Sequence, residues 1–203
     1  MIMALTQVLG VSAVAMISQA VGKKDQQQAN LVFNQSLVLS GICALITVLG
    51  GYLFAEPYLS NIAADEGSLR EGLTFLYWFL PGMALQFAMM AMASSLRATG
   101  IVKPAMLIQV ITVVLNTILA PILIAGWGPG PALGVMGAGL ASTISIAVGV
   151  VLLTLYFIKL EKYVSFETKL WKPRFDIWWR MVDIGLPAGG EMLLMFVYFS
   201  LVY

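Results

Sequence analysis

Apolar residues along this chain gather in six runs, at 1–21, 31–54, 72–96, 105–125, 135–158 and 184–203. Polar or turn-rich breaks separate them. GKKDQQQAN follows the first run, Glu56-Pro57 ends the second, and residues 55–71 form a loop carrying Asp65, Glu66, Arg70 and Glu71. RATGIVKP interrupts the chain after the third run. After the fourth comes GWGPGPALGVMG, whose first six residues hold three Gly and two Pro, strong helix breakers. A helix rises about 1.5 Å per residue, so each run is long enough to cross about 30 Å of hydrocarbon. Gly and Pro inside the runs are tolerable, because neighbouring helices satisfy the freed backbone groups. The pattern predicts an all-α fold, a polytopic membrane protein with six transmembrane helices.

Composition agrees. The chain is 60% hydrophobic and 10% charged, whereas soluble domains carry about 25% charged residues. A net charge of +1 supplies no field for nucleic acid. The single cysteine, Cys43, lies within an apolar run and reads as a small buried hydrophobe. Histidine is absent, which removes the commonest metal ligand and the usual general base. No catalytic set, metal site or cofactor is expected, and no enzyme activity. GVMGAG resembles a phosphate loop only superficially: it precedes a transmembrane run, where small residues serve packing.

Lysine and arginine orient the spans. With the five connectors lettered A to E, connector A holds Lys23 and Lys24, C holds Arg97 and Lys103, and E, residues 159–183, holds six more. Connector B holds Arg70 among four acids, and D holds no charge. Ten of the eleven basic residues thus fall on alternate connectors, which places A, C and E in the cytoplasm. Connector E mixes Trp171, Trp178 and Trp179 with Lys172, Arg174 and Arg180. It reads as a short amphipathic helix on the inner membrane face, serving as an anchor or as a lipid-sensing switch.

Of ten acids, nine lie in connectors or at their edges; Glu191 alone lies within a span. It sits eight residues beyond Asp183, or roughly 12 Å along a helix. An acid at such depth costs on the order of 3 kcal/mol on insertion scales. Protonation relieves that cost, as does a wet cavity holding a cation, and both describe a site that exchanges a proton for something positive. Ala188, Met195, Tyr198 and Val202 share its helix face, and Gly189 and Gly190 admit a close neighbour. The alternative is structural: Glu191 hydrogen-bonds a polar group on an adjacent helix.

Asn116 stands mid-run in VLNTILAPILI, five residues before Pro121, which is expected to kink its helix. Asn116 either lines a substrate cavity or serves as interhelical glue, and Gln35, Gln86 and Gln109 divide the same way. Ser142, Thr143 and Ser145 are expected to bond their own i−4 carbonyls.

Four segments stand out together: Ser18 to Asp25 (SQAVGKKD), Arg97-Ala98-Thr99-Gly100 with Lys103-Pro104, Asn116 to Gly139, and Gly185-Leu186-Pro187-Ala188. In this order and topology they resemble the multidrug and toxic compound extrusion (MATE) family of antiporters, from the end of its second helix to the start of its seventh. The resemblance implies a twelve-helix, two-lobe transporter, of which this chain would be a fragment supplying helices two to seven. Residues 1–158 would then be the N-terminal lobe, 159–183 the cytoplasmic inter-lobe connector, and 184–203 the first helix of the C-terminal lobe. Many members carry an acid on the first helix, and many have Asp in the fifth-helix pattern NxxLDP, where this chain has Ala120. Glu191 is then the stronger coupling candidate.

The function implied is secondary-active efflux of small cationic amphipathic compounds in exchange for H+ or Na+, by a multi-pass protein of the inner (plasma) membrane and a monomer in full-length form. Glu191 would couple the cation or proton; Asn116, Gln86, Met195 and Tyr198 would line the substrate cavity. The alternatives are a lipid-linked oligosaccharide flippase of a related fold and a membrane scaffold without transport.

Overall fold

The computed structural model describes residues 2–63, 65–127, 132–160 and 163–202, with side chains described from 5 to 191 and at 194, 195 and 198. Lys162 of connector E and residues 128–131 of the turn-rich connector D lie outside the described residues. Among the described residues six α-helices follow one another: α1 (Ile2–Gly22), α2 (Gln26–Ser60), α3 (Glu66–Ala98), α4 (Val102–Ala125), α5 (Val135–Lys159) and α6 (Phe175–Val202). One 3-10 turn, Thr168–Trp171, precedes α6. The described residues contain no strand. Helices α1 to α5 are long and apolar enough to cross a membrane, and the apolar stretch of α6 after Asp183 is the sixth expected span.

The helix ends follow from local chemistry. Lys24 adopts φ 58°, and the amide of Asp25 returns to the Ala20 carbonyl at 2.9 Å, closing α1. Asp25 then accepts the Gln28 amide at 2.9 Å and caps α2. Gly100, at φ 84°, closes α3 in the same way, with the Ile101 amide on the Leu96 carbonyl. Pro104 falls in the first turn of α4, where its missing N–H costs nothing. Connector C is thereby built by the RATGIVKP sequence itself.

Two expected boundaries move. Pro57 does not end α2, which continues to Ser60. A helix of 35 residues reaches about 52 Å, well beyond the hydrocarbon, so water can serve the carbonyl that proline leaves free. Among its described residues connector E holds no separate amphipathic helix. Residues 175–183 are the opening turns of α6 itself, since no breaker stands between Pro173 and the apolar stretch. Their amphipathic character remains: Ile177 and Met181 are buried, while Asp176, Arg180 and Asp183 are exposed.

The chain packs as two units, one of Met1–Gly41, Met90–Ala105 and Leu153–Tyr203, the other of Ile42–Met89 and Met106–Leu152. This division follows contacts and is not the lobe boundary expected at residue 158. In the first unit α6 packs along α1, where a Cβ on Gly185 would run into the Val8 carbonyl. Its core joins Ile17, Val32, Phe33, Leu96, Val164 and Met181, with Phe33 stacked on Phe157 at 4.8 Å between ring centroids. In the second unit α3, α4 and α5 pack through small residues; a Cβ on Gly139 would meet the Phe75 carbonyl and Trp78. Exposed apolar stripes, such as Leu45, Ile46, Leu49 and Leu53 on α2, point outward as lipid-facing surface. Alongside these apolar residues the buried positions include the polar Ser12, Asn34, Gln35, Ser94 and Ser145, residue types that are mostly exposed in soluble proteins.

Candidate functional site

In the second unit, Gln109, Thr112 and Asn116 recur at spacings of three and four on one face of α4. Gln86 of α3 and Ser142 and Ser145 of α5 face the same space, a cavity of about 360 Å³ whose apolar wall includes Phe79 and Met89. Asn116 Nδ2 donates to Ser142 Oγ at 3.1 Å. Asn116 therefore both bridges α4 to α5 and lines the cavity. Ser142 and Ser145 bond the carbonyls of Ala138 and Ala141, as expected of hydroxyls in membrane helices. Gln86 and Gln109 make no hydrogen bond among the described residues, so their amides present donors and acceptors to the cavity. The lining carries no formal charge: the arrangement suits an apolar or weakly polar guest contacted through amide groups.

Thr143 departs from expectation. It bonds the Trp78 carbonyl of α3 instead of its own i−4 carbonyl, next to Pro81, and the Gly82 amide donates to the same hydroxyl. The Tyr77 carbonyl, which Pro81 cannot serve, receives the Tyr52 hydroxyl at 3.1 Å. Pro121 stands inside α4, as the sequence placed it; the ladder repair seen by side chains is at Pro81.

In the first unit, Glu191 and Met195 line a second cavity, of about 290 Å³, with Ala188 of α6 and Gln7 and Val11 of α1. The spacing 188, 191, 195 is one helix face, as expected. Glu191 is exposed to this cavity and has no hydrogen bond or ion pair among the described residues. Tyr198, on the same face, is exposed. Gln86 and Asn116 thus share one cavity, and Glu191 and Met195 share another. Sequence reasoning passed over Gln7 and Thr112. The signal for Gln7 was present: it is the only amide between Met1 and Met16 in an otherwise apolar run.

A third cavity, of about 340 Å³, also belongs to the first unit and adjoins the other side of Gln7 and Val11. Here α3, extended to Ala98, brings Arg97 into a helix where connector C was expected. The guanidinium is half-buried and donates to Ser94 Oγ at 2.9 Å and towards the Met90 sulfur at 3.7 Å, with no carboxylate in ion-pair range among the described residues.

Similarity to known proteins follows this geometry. The MatE family profile matches residues 1–122. The multidrug export protein MepA of Staphylococcus aureus (strain MRSA252) is 32% identical over 198 residues, covering 96% of this chain and 42% of the relative. The probable multidrug resistance protein NorM of Bacillus cereus (strain ATCC 10987 / NRS 248) is 25% identical over 175 residues, 85% of this chain and 38% of the relative. Among solved structures, an outward-facing conformation of a multidrug resistance MATE family transporter of the MOP superfamily matches with a TM-score of 0.86 at 26% identity, over 97% of this chain and 43% of that one. The chain spans less than half the length of the curated relatives it matches.

Proposed function

Because the chain belongs to the MatE family, we propose that it forms part of a secondary-active multidrug exporter of the plasma membrane. In this reading small cationic amphipathic compounds leave the cell in exchange for H+ or Na+. The observation that carries it is Glu191: a carboxylate within the sixth expected span, facing a cavity with Gln7 and Met195 and lacking a protein partner among the described residues. Such a group is relieved by a proton or a cation and releases one when the other arrives. The cavity around Asn116, Gln86 and Gln109 supplies neutral amides and apolar walls, which accept varied guests without fixing one. MepA, named a multidrug export protein, supports drug export as the activity. Alternating access by movement of the lobes connects uptake to release.

One observation favours the flippase alternative. Arg97 lines a cavity without a carboxylate beside it, an arrangement suited to a phosphate. Efflux of a lipophilic fluorescent cation from proteoliposomes of the full-length protein, driven by a pH or sodium gradient, decides between the readings. Gradient-driven efflux supports the exporter. Gradient-independent movement of an anionic lipid, with no cation efflux, would replace it with the flippase.

A further inference from the structure

Between α5 and α6, residues 163–174 have little backbone hydrogen bonding of their own among the described residues, yet they are pinned along their length. Seven backbone groups between Tyr163 and Arg174 bond to side chains of α2. Gln26 donates to the Tyr163 carbonyl at 3.0 Å, and Asn30 Oδ1 accepts the Ser165 amide at 2.8 Å. Asn34 donates to the Ser165 carbonyl and accepts the Glu167 amide, each at 2.9 Å. Gln35 donates to the carbonyls of Leu170 and Lys172 at 2.6 and 2.8 Å and accepts the Arg174 amide at 3.0 Å.

Asn34 and Gln35 are fully buried, and their bonding capacity is nearly used up. Asn34 also donates to the Asn30 carbonyl at 2.9 Å, and its oxygen takes the Trp171 indole N–H at 3.0 Å. A primary amide offers two donors and two acceptor sites. Only an amide can hold two carbonyls with one end and an N–H with the other, as Gln35 does. Most of these contacts read backbone and so specify the path of the strap; the side chains held are the Trp171 indole, on Asn34, and the Glu167 carboxylate, which accepts from Asn30 Nδ2.

The last pinned group matters most. The Arg174 carbonyl accepts the amides of Ile177 and Trp178, so Arg174 is the residue on which α6 begins. Gln35 holds the amide of that same residue. Glu191 lies seventeen residues further on, roughly 25 Å along a continuous helix. A slip of one residue in the start of α6 would turn Glu191 by about 100° away from Gln7.

We propose that Asn34 and Gln35 form a latch that fixes the start of α6 on α2 and so holds Glu191 in register against α1. They are positioning residues, and the consequence for transport rests on the coupling role proposed for Glu191. The latch itself is independent of that role.

The experiment uses the full chain with Cys43→Ser and Val11→Cys, paired with Met195→Cys or with Leu194→Cys, cross-linked by a short bifunctional thiol reagent. With the latch intact, the 11–195 pair should link and the 11–194 pair should not. Gln35→Glu keeps the acceptor for Arg174 but loses both donors; it should raise hydrogen exchange at residues 163–175 by about tenfold and shift yield from the 11–195 to the 11–194 pair. Unchanged exchange and unchanged yields in Gln35→Glu would overturn the latch. If both change while gradient-driven efflux is untouched, the latch stands and the coupling role of Glu191 falls. Should the variant fail to accumulate, the parent decides: the amides of Ser165, Glu167 and Arg174 must exchange slowly, and fast exchange there overturns the proposal.

Discussion

Thr143 stands inside the hydrogen-bond ladder of a helix other than its own: its hydroxyl donates to the Trp78 carbonyl at 2.6 Å. The Gly82 amide, which would normally reach Trp78, donates to the same hydroxyl at 3.1 Å. A Cβ on Gly82 would lie 2.8 Å from that oxygen and 3.0 Å from the Thr143 Cα, so only glycine admits the insertion. Thr143→Val removes the relay and leaves two backbone groups unserved, which should cost about 1–2 kcal/mol. Thr143→Ser keeps the hydroxyl and should stay near the parent. Thermal unfolding of the full chain in detergent measures both, and equal midpoints for Thr143→Val and the parent would refute the relay.

The α4–α5 bridge predicts a separation of effects. Asn116→Ala and Ser142→Ala both remove the 3.1 Å bond, so both should lose about 0.6 kcal/mol of stability. Asn116→Ala also strips an amide from the cavity and should narrow the range of compounds exported. Ser142→Ala, whose hydroxyl already serves Ala138, should leave that range nearly intact. Identical changes in spectrum from the two variants would reduce Asn116 to interhelical glue.

Orientation is testable from both faces. Lys24, Lys103, Lys169 and Asp65 are all exposed, so labelling depends on which side a reagent reaches. Single cysteines at the three lysine positions, in a Cys43→Ser background, should resist an impermeant thiol reagent applied to whole cells. A cysteine at Asp65 should react. Labelling at the lysine positions would invert the topology.

Asp65 also carries a pH signature. Its carboxylate accepts the Ser68 amide at 2.6 Å at the start of α3. That bond, followed by one from the Ser68 side chain, holds its pKa below the ordinary 3.8. A depressed carboxyl pKa stabilises the folded end above the ordinary value, and that support is lost as pH falls through the lower folded value. Protection of the amides in the first turn of α3, taken as the ratio of intrinsic to observed exchange rate at each pH, should therefore be flat from neutrality to about pH 4 and fall only below it. Asp65→Asn, which keeps a capping oxygen without the charge, should abolish the fall. Protection that drops already near pH 6 would contradict the cap.

What the sequence made legible was whatever depends on nearby residues. The spans are local sums of hydropathy, and Gly100 and Pro104 announce a helix end and a helix start by their own backbones. Glu191 was conspicuous because an acid in oil is costly wherever its partners lie. Asn34 and Gln35 were opaque for the opposite reason: an amide in an apolar run has many uses, and theirs is set by backbone about 135 residues away. Thr143 was misassigned because its i−4 carbonyl is the local default, while the groups that recruit it, the Trp78 carbonyl and the Gly82 amide, belong to another helix. Arg97 was placed outside the spans because charge ends an apolar run; the helix nevertheless continues through it, with Ser94 and Met90 receiving its guanidinium.

Glu191 admits the sharpest prediction. Among the described residues its cavity with Gln7, Val11, Ala188 and Met195 supplies one amide and otherwise apolar walls, and in the proposed coupling role a proton or a cation meets the carboxylate's charge. Glu191→Gln preserves shape and some hydrogen bonding but stays neutral at every pH. If the carboxylate couples transport, the variant should insert and fold, yet lose efflux driven by a pH or sodium gradient. Glu191→Asp retains the acid with a reach shorter by one methylene, and should keep part of the activity with a displaced pH optimum. A structural role ranks the two the other way: Gln, the closer isostere, would resemble the parent, and Asp would be the poorer. Gln7→Ala adds an independent check, since it leaves the acid in place and removes its only polar neighbour in the cavity among the described residues; it should alter the pH profile without abolishing efflux. All three are measured by gradient-driven efflux in proteoliposomes of the full-length protein, and full activity in Glu191→Gln would end the coupling reading.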